Sequence, residues 1–195
     1  IGWFSLDAEH ALLRSHRAAG GATCGVRDGH LLLVRAGEES DLGPIARMPL
    51  TVDGLASYNV ANLAGAALAA AALGVEPATI AAAFASFGAD PLDNAGRLMR
   101  FDFDGAQVLL DYAHNPDGLR GLLRVADALR GGAGRLGLLL GHAGNREDAD
   151  FQRLAAAAVE FNPDLVVVKE IEGYLRGRAP GEVPHLIRSA LLRHG

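Results

Sequence analysis

The sequence predicts an α/β protein: a second half built on a mostly parallel sheet, preceded by a part made of short antiparallel strands plus helices. Three observations carry this. The first fifty residues hold short apolar runs broken by turn signals. After residue 98, strand-like runs alternate with helical periodicity, the pattern of a parallel sheet covered on both faces, with right-handed crossovers. Between them the Gly, Pro, Asp and Asn cluster "GADPLDNAGR" reads as a linker, so a boundary is expected between residues 1–92 and 93–195.

In order along the chain, "GWFSL" reads as a strand and Ala11 to Ala18 as a short helix. Ala22 to Val26 and His30 to Arg35 pair across "RDG", because Asp-Gly tolerates the positive φ angles of a tight turn. A helix runs from Tyr58 to Leu73, with Asn59 and Asn62 in its first turns and Gly74 as its stop, and another from Pro77 to Phe87. The Ala-rich stretch "AALAAAALGV" is a closely packed helix. Beyond the linker, "MRFDFDGAQVLLDYA" forms a hairpin joined at Asp104 and Gly105, and "PDGLRGLLRVADALR" an amphipathic helix. A strand "RLGLLLG", a helix from Asp148 to Phe161, a strand "DLVVVKE" and a closing helix from Glu182 to Arg193 complete the pattern.

Bulk properties narrow the function. Half of the 195 residues are hydrophobic and 21% are charged, so the chain can bury a core for one ordinary domain or two small ones. A net charge of -5 argues against nucleic acid or an anionic membrane as the main partner and leaves a small ligand or another protein. The single cysteine, Cys24, can form no internal disulfide and offers no zinc site, which fits a reducing cytoplasm. The longest apolar run, Leu63 to Val75, is too short and small-sided to span a bilayer, and no signal-peptide pattern opens the chain, so a soluble, cytoplasmic protein is expected. The apolar face from Leu63 to Leu73 could serve the core or a homo-oligomer contact. "IGWFSLD" reads as a strand already under way, so the chain is expected to be a fragment or a processed product.

In open parallel α/β sheets, ligands bind beyond the carboxyl ends of the strands. Three such ends carry polar groups: Asp111 with His114 and Asn115, His142 with Asn145 and Arg146, and Lys169 with Glu170 and Glu172. Their convergence predicts one site. Helix capping accounts for Asn115, Pro116 and Asp117, but not for Asp111 or His114. An acid at a strand tip can accept from ribose hydroxyls, and an imidazole near a helix N-terminus can meet a phosphate or a nucleotide ring. No metal site is expected, because nothing in the spacing of His114, His142 and Glu170 enforces a ligand set.

These residues stand in a recognisable string. "LLDYAHNPDGL" resembles the signature that opens the C-terminal domain of Mur ligases and their relatives, the folylpolyglutamate synthetases and cyanophycin synthetases. "YNVANLAGAALAAAALGV" resembles the family helix that opens with two asparagines, and "NAGRLMRF" the N-P-G-R linker, with Ala95 where proline is usual and Arg97 retained. "FSLDAEHALLRSHRAAGGATCGVRDGHLLL" and "YLRGRAPGEVPHLI" are most similar to the Mur ligase-like half of the cyanophycin synthetase branch. The resemblance covers nearly the whole chain but only the latter half of a ligase module. It implies a Rossmann-like C-terminal domain over 93–195, preceded by the C-terminal part of the central ATPase domain.

It also implies ATP bound between those domains. Asn59 and Asn62 share a helix face and would meet the adenine, Asn62 being the stronger choice; helix capping after Ser57 is the alternative. Arg97 would reach a phosphate, or else form a surface salt bridge. Asp111 would hold the ribose, with His114 and Asn115 lining the same pocket. "YLRGR" stands where related ligases use an arginine against the carboxylate of the incoming amino acid, which points to Arg176 first and Arg178 second; a solvated loop is the alternative. Glu170 and Glu172 would favour a cationic acceptor such as arginine or an arginine-bearing peptide. "GHAGNREDAD" resembles the family's glycine-bearing loop but departs from it at Ala143 and Asn145, where proline and an acid are common.

The phosphate loop G-x-x-G-K-[ST] is not in this sequence, nor are the family's magnesium and carbamylated-lysine positions. No catalytic residue is therefore assigned. The resemblance implies an ATP-dependent ligase that acts through an acyl phosphate on an amino acid or peptide, with magnesium held mainly by an upstream part, and it implies no activity for this chain alone. Two alternatives stay open: a ligase of the peptidoglycan or folate type, and a non-catalytic nucleotide-binding or assembly module on the same fold.

Overall fold

In the computed structural model, which describes residues 1–194, the chain divides into two compact units after Leu110. The first is organised by a four-stranded sheet in the order β1 (Gly2–Ser5), β2 (Ala22–Arg27), β3 (His30–Arg35), β4 (Glu38–Pro44). β1 runs parallel to β2, with α1 (Ala11–Ala18) as the connection, and the other pairings are antiparallel. Asp28 and Gly29 both take positive φ (50° and 76°), the tight turn their residue types predict. Ala36 and Gly37 do the same before β4, a strand that its polar sequence "EESDLGP" hides from pattern reading.

α2 (Ser57–Ala72) and α3 (Pro77–Ser86) close the core of this unit. Leu63, Ala64, Ala67 and Ala71 of α2 are buried among Cys24, Leu31, Leu33 and Ile80, so these small side chains serve the unit's own core. Alanines let the helix backbone approach the sheet closely, and that approach keeps the interior close-packed where longer side chains would hold the two apart. The thiol of Cys24 is pushed up to about 12 by burial, which keeps it an apolar filler. β5 (Met99–Phe103) and β6 (Ala106–Leu110) then pair as the expected hairpin, with Asp104 and Gly105 at positive φ. The linker cluster thus lies inside the first unit.

The second unit contains α4 (Pro116–Arg130), β7 (Gly137–Leu140), α5 (Asp148–Val159), β8 (Leu165–Val168) and α6 (Glu182–His194). β7 and β8 pair in parallel, Gly137 opposite Leu165 and Leu140 opposite Val168, with α5 as the crossover. The period of two sends Leu138, Leu140, Val166 and Val168 into a core with Leu123, Phe151 and Ile187. Leu139, Leu165 and Val167 face the other way and are exposed, so within this unit helices cover one face of the pair where cover on both was expected. Among the described residues no helix is long and apolar enough to cross a membrane.

Candidate functional site

Two of the first unit's candidate residues, Asn59 and Asn62, lie in the first turns of α2. Neither Asn59 nor Asn62 caps it: Ala56 stands at the cap and no side chain bonds there. Asn59, only 7% exposed, instead donates from Nδ2 to the Leu50 carbonyl at 2.7 Å, and its Oδ1 accepts from Asn62 Nδ2 at 3.3 Å. Asn62 is exposed. The pair therefore splits into a buried amide that holds the chain and an outer amide that it orients. Thr51, also buried, donates from Oγ1 to the Ile45 carbonyl at 2.6 Å and accepts from Gly54 N at 3.0 Å.

These bonds pin the segment 45–54, which walls a cavity of about 450 Å³ together with the linker and the β5–β6 hairpin. Arg97 lines that cavity with Arg47 and Arg100, and Asp53, Asp90 and Asp102 balance their charge. Asn62 is not among its lining residues. Arg97 and Asn59 are thus brought to one cavity wall, the second through its bond to Leu50.

In the second unit Asn115 is the N-cap of α4: it sits at extended φ and its Oδ1 accepts from Gly118 N at 2.8 Å, with Pro116 in the first turn and Asp117 beside it. Capping uses Oδ1 and leaves the Nδ2 donors for other work. His114 is exposed, its ring 5.4 Å from that of Tyr112 and its Nδ1 3.1 Å from the Tyr112 carbonyl. The nearly buried His142 faces the His114 carbonyl with Nε2 at 2.8 Å, a bond that requires the proton on Nε2. Together with Arg146 and Asp150 these residues line a cavity of about 270 Å³. Asp111 is half-buried just beyond β6 and does not line it.

Two of the three predicted strand ends therefore converge through the His142 to His114 bond. The third is tied to the second: Gly144 N donates to the Tyr174 carbonyl at 2.9 Å, and Arg178 bonds the carbonyls of Gly144 and Arg146. Arg178 also pairs with Glu182 and Asp148, and these carboxylates, Glu182 first, raise its guanidinium above the ordinary range. Glu182 is held below the usual carboxylate range by the Ala179 N–H and then by Arg178. Arg176 differs: it is exposed, takes a φ of 50°, and lies 5.1 Å from the centroid of Tyr174. Glu170 is engaged by Gly181 N at 2.6 Å, whereas Glu172 is exposed.

Among the described residues no three His, Cys, Asp or Glu side chains are placed to hold a metal ion. Gly144, Asp148 and Phe151 support this site through contacts that the sequence does not display. Their signal was "GNRED" followed by a helical apolar residue, which reads equally well as a solvated helix start.

Residues 96–193 match the family described as Mur ligase, glutamate ligase domain. The chain is 31% identical over 191 residues to a cyanophycin synthetase of Nostoc sp. strain PCC 7120, an alignment that covers 98% of this chain and 21% of that protein. It is 36% identical over 127 residues to the UDP-N-acetylmuramoyl-L-alanyl-D-glutamate--2,6-diaminopimelate ligase of Gloeobacter violaceus, covering 64% of this chain and 24% of that one. A solved structure of a ligase with the same description aligns with a TM-score of 0.42 at 18% identity, over 97% of this chain and 39% of the other. The chain spans about a fifth of the length of the cyanophycin synthetases it matches.

Proposed function

This chain belongs to the Mur ligase family by its glutamate ligase domain, and from that premise we propose that it supplies the adenosine side and the acceptor side of an ATP-dependent ligase that forms amide bonds through an acyl phosphate. Its substrate is an amino acid or a peptide. The cyanophycin synthetase type is preferred to the peptidoglycan type because the first alignment runs over 98% of the chain and the second over 64%. Residues 1–92 are the end of the central domain in this reading, and 93–195 the C-terminal domain.

The observation that carries the proposal is the cavity at the start of α4, where the string "DYAHNP" places His114 and Asn115 at its wall. Its residues suit a nucleotide. The Asn115 Nδ2 donors and an exposed imidazole can meet phosphate or ribose oxygens beside the positive end of a 15-residue helix. Asp111, close by in sequence, accepts from the ribose hydroxyls. In the first unit Asn62 presents its amide to the base, held by the buried Asn59, and Arg97 meets a phosphate. Arg176, exposed on its glycine-flanked loop, takes the carboxylate of the incoming amino acid, and Glu172 favours a cationic acceptor. Magnesium, held mainly by residues outside this chain, would neutralise charge on the phosphates; the residues named here bind and orient.

Two measurements test the reading. The purified chain by itself releases no phosphate from ATP; release would contradict the assignment of the reacting centre to a part outside it. In a ligase that combines this chain with a phosphate-loop domain, Asp111→Ala weakens nucleotide binding, and unchanged binding removes Asp111 from the site.

A further inference from the structure

Arg178 is engaged on every side by its own chain. Nε donates to the Gly144 carbonyl at 3.0 Å, Nη1 to Glu182 Oε1 at 2.8 Å, and Nη2 to both the Arg146 carbonyl at 2.7 Å and Asp148 Oδ1 at 2.8 Å. Its Cζ also lies over the ring of the fully buried Phe151, 5.2 Å from the centroid. Two of its four acceptors are main-chain carbonyls of the loop between β7 and α5, and Gly144 N returns a bond to the Tyr174 carbonyl. That loop carries two residues of the cavity at the start of α4. One is His142, whose ring meets Phe151 edge-on at 5.7 Å and bonds the His114 carbonyl. The other is Arg146, whose side chain makes no hydrogen bond or ion pair among the described residues.

The geometry points to Arg178 as a positioning residue for this cavity: it fixes the carbonyls of Gly144 and Arg146, and so sets the loop that presents Arg146 and ties His142 to His114. The inference rests on the nucleotide reading above. It reassigns the second arginine of "YLRGR" from acceptor ligand to support and leaves the exposed Arg176 for the acceptor. A guanidinium is required because a fork of five fixed donors can serve carbonyls and carboxylates that diverge around it, whereas an ammonium is a single point of charge.

The test is a titration of the chain with ADP, followed by the amide resonances of His114 and Gly118, in wild type and three variants. Arg178→Lys retains the charge and loses the fork, and the Kd for ADP is expected to rise about fivefold or more, since small misplacements of binding groups are costly. Glu182→Gln keeps both carbonyl bonds; it is expected to leave the Kd within about twofold and to change the melting temperature only slightly, because a partly exposed ion pair contributes little. Gly144→Ala leaves Arg178 intact, yet a Cβ there would stand 2.0 Å from the Leu175 carbonyl oxygen and must part the two loops. It is expected to reproduce the Arg178→Lys effect.

A folded Arg178→Lys variant with the wild-type Kd overturns the positioning role and leaves the nucleotide reading standing. If Arg178→Lys does not fold, Gly144→Ala decides: an unchanged Kd overturns the proposal, and a raised one supports it. Wild-type chain that shows no shifts at millimolar ADP overturns the nucleotide reading, and the inference with it.

Discussion

The two units hold their cavity-lining segments by different physics. In the first, segment 45–54 is fastened by buried neutral groups, Thr51 and Asn59, whose bonds to main-chain carbonyls are shielded from solvent. In the second, loop 142–148 is fastened by a partly exposed arginine and two exposed carboxylates. A neutral bond in an apolar surrounding is indifferent to salt and costly to orphan, while an ion pair at the surface is cheap to remove and sensitive to salt and acid. The difference predicts which loop will yield to conditions and which only to mutation.

The largest effect should come where the second unit's charged clamp meets its core. Phe151 is fully buried, supports the Arg178 guanidinium and packs edge-on against His142. Phe151→Ala is expected to cost about 3–5 kcal/mol through lost burial and the cavity left behind. Urea unfolding gives the magnitude. Hydrogen exchange should show the loss in α5 and at Gly144 with little change in α2, and a uniform loss would break the distinction between the units.

Next comes the neutral clamp. Asn59→Leu orphans the Leu50 carbonyl and removes the acceptor of Asn62, at an expected cost of about 1–3 kcal/mol. The loss should be the same at low and high salt. A loss that shrinks with salt would mean that charge, and not the buried amide, sets this wall.

The sequence revealed much of the fold because its punctuation is local. Asp28-Gly29, Asp104-Gly105 and the Asn115-Pro116 helix start each announce themselves within a few residues, and each is found where the pattern puts it. β4 was not legible, since its alternation is blurred by polar side chains and the pairing that makes it a strand lies on β3. The site was half legible for a related reason. The string "DYAHNP" marks a helix start and a cavity wall, but the role of Arg178 depends on carbonyls 34 and 32 residues away in sequence. Asn59 and Asn62 are alike in sequence, and only burial separates the holding amide from the presented one.

A smaller effect separates two functions of one residue. Asn115→Ala removes the cap of α4 and is expected to cost about 1 kcal/mol, while Asn115→Ser keeps an acceptor for Gly118 N and should cost a few tenths, about 0.3 kcal/mol. Serine does not supply the Nδ2 donors. If Asn115 also meets a nucleotide, Asn115→Ser should weaken ADP binding while leaving the melting temperature almost unchanged. If binding survives, Asn115 is a cap and the resemblance has assigned it one role too many.

The smallest effect bears most directly on the contrast between the clamps. Glu182 titrates below its ordinary value of 4.5 in the folded chain, because the Ala179 N–H and then Arg178 favour its charged form. As pH falls, the unfolded chain takes up its proton first. The stabilisation is therefore complete above about pH 4.5 and disappears as pH drops through the lower folded value. The side chain is exposed, so the change is slight in global stability and concentrated in the loop. Protection of the Gly144 amide, which donates to Tyr174, should fall over that acid window and with added salt, and Glu182→Gln should remove most of the pH dependence. The Gly54 amide, bonded to the buried Thr51 hydroxyl, should keep its protection under the same changes. Parallel behaviour of the two amides would show that acid and salt act on the chain as a whole, and the assignment of charge to one clamp and shielding to the other would fail.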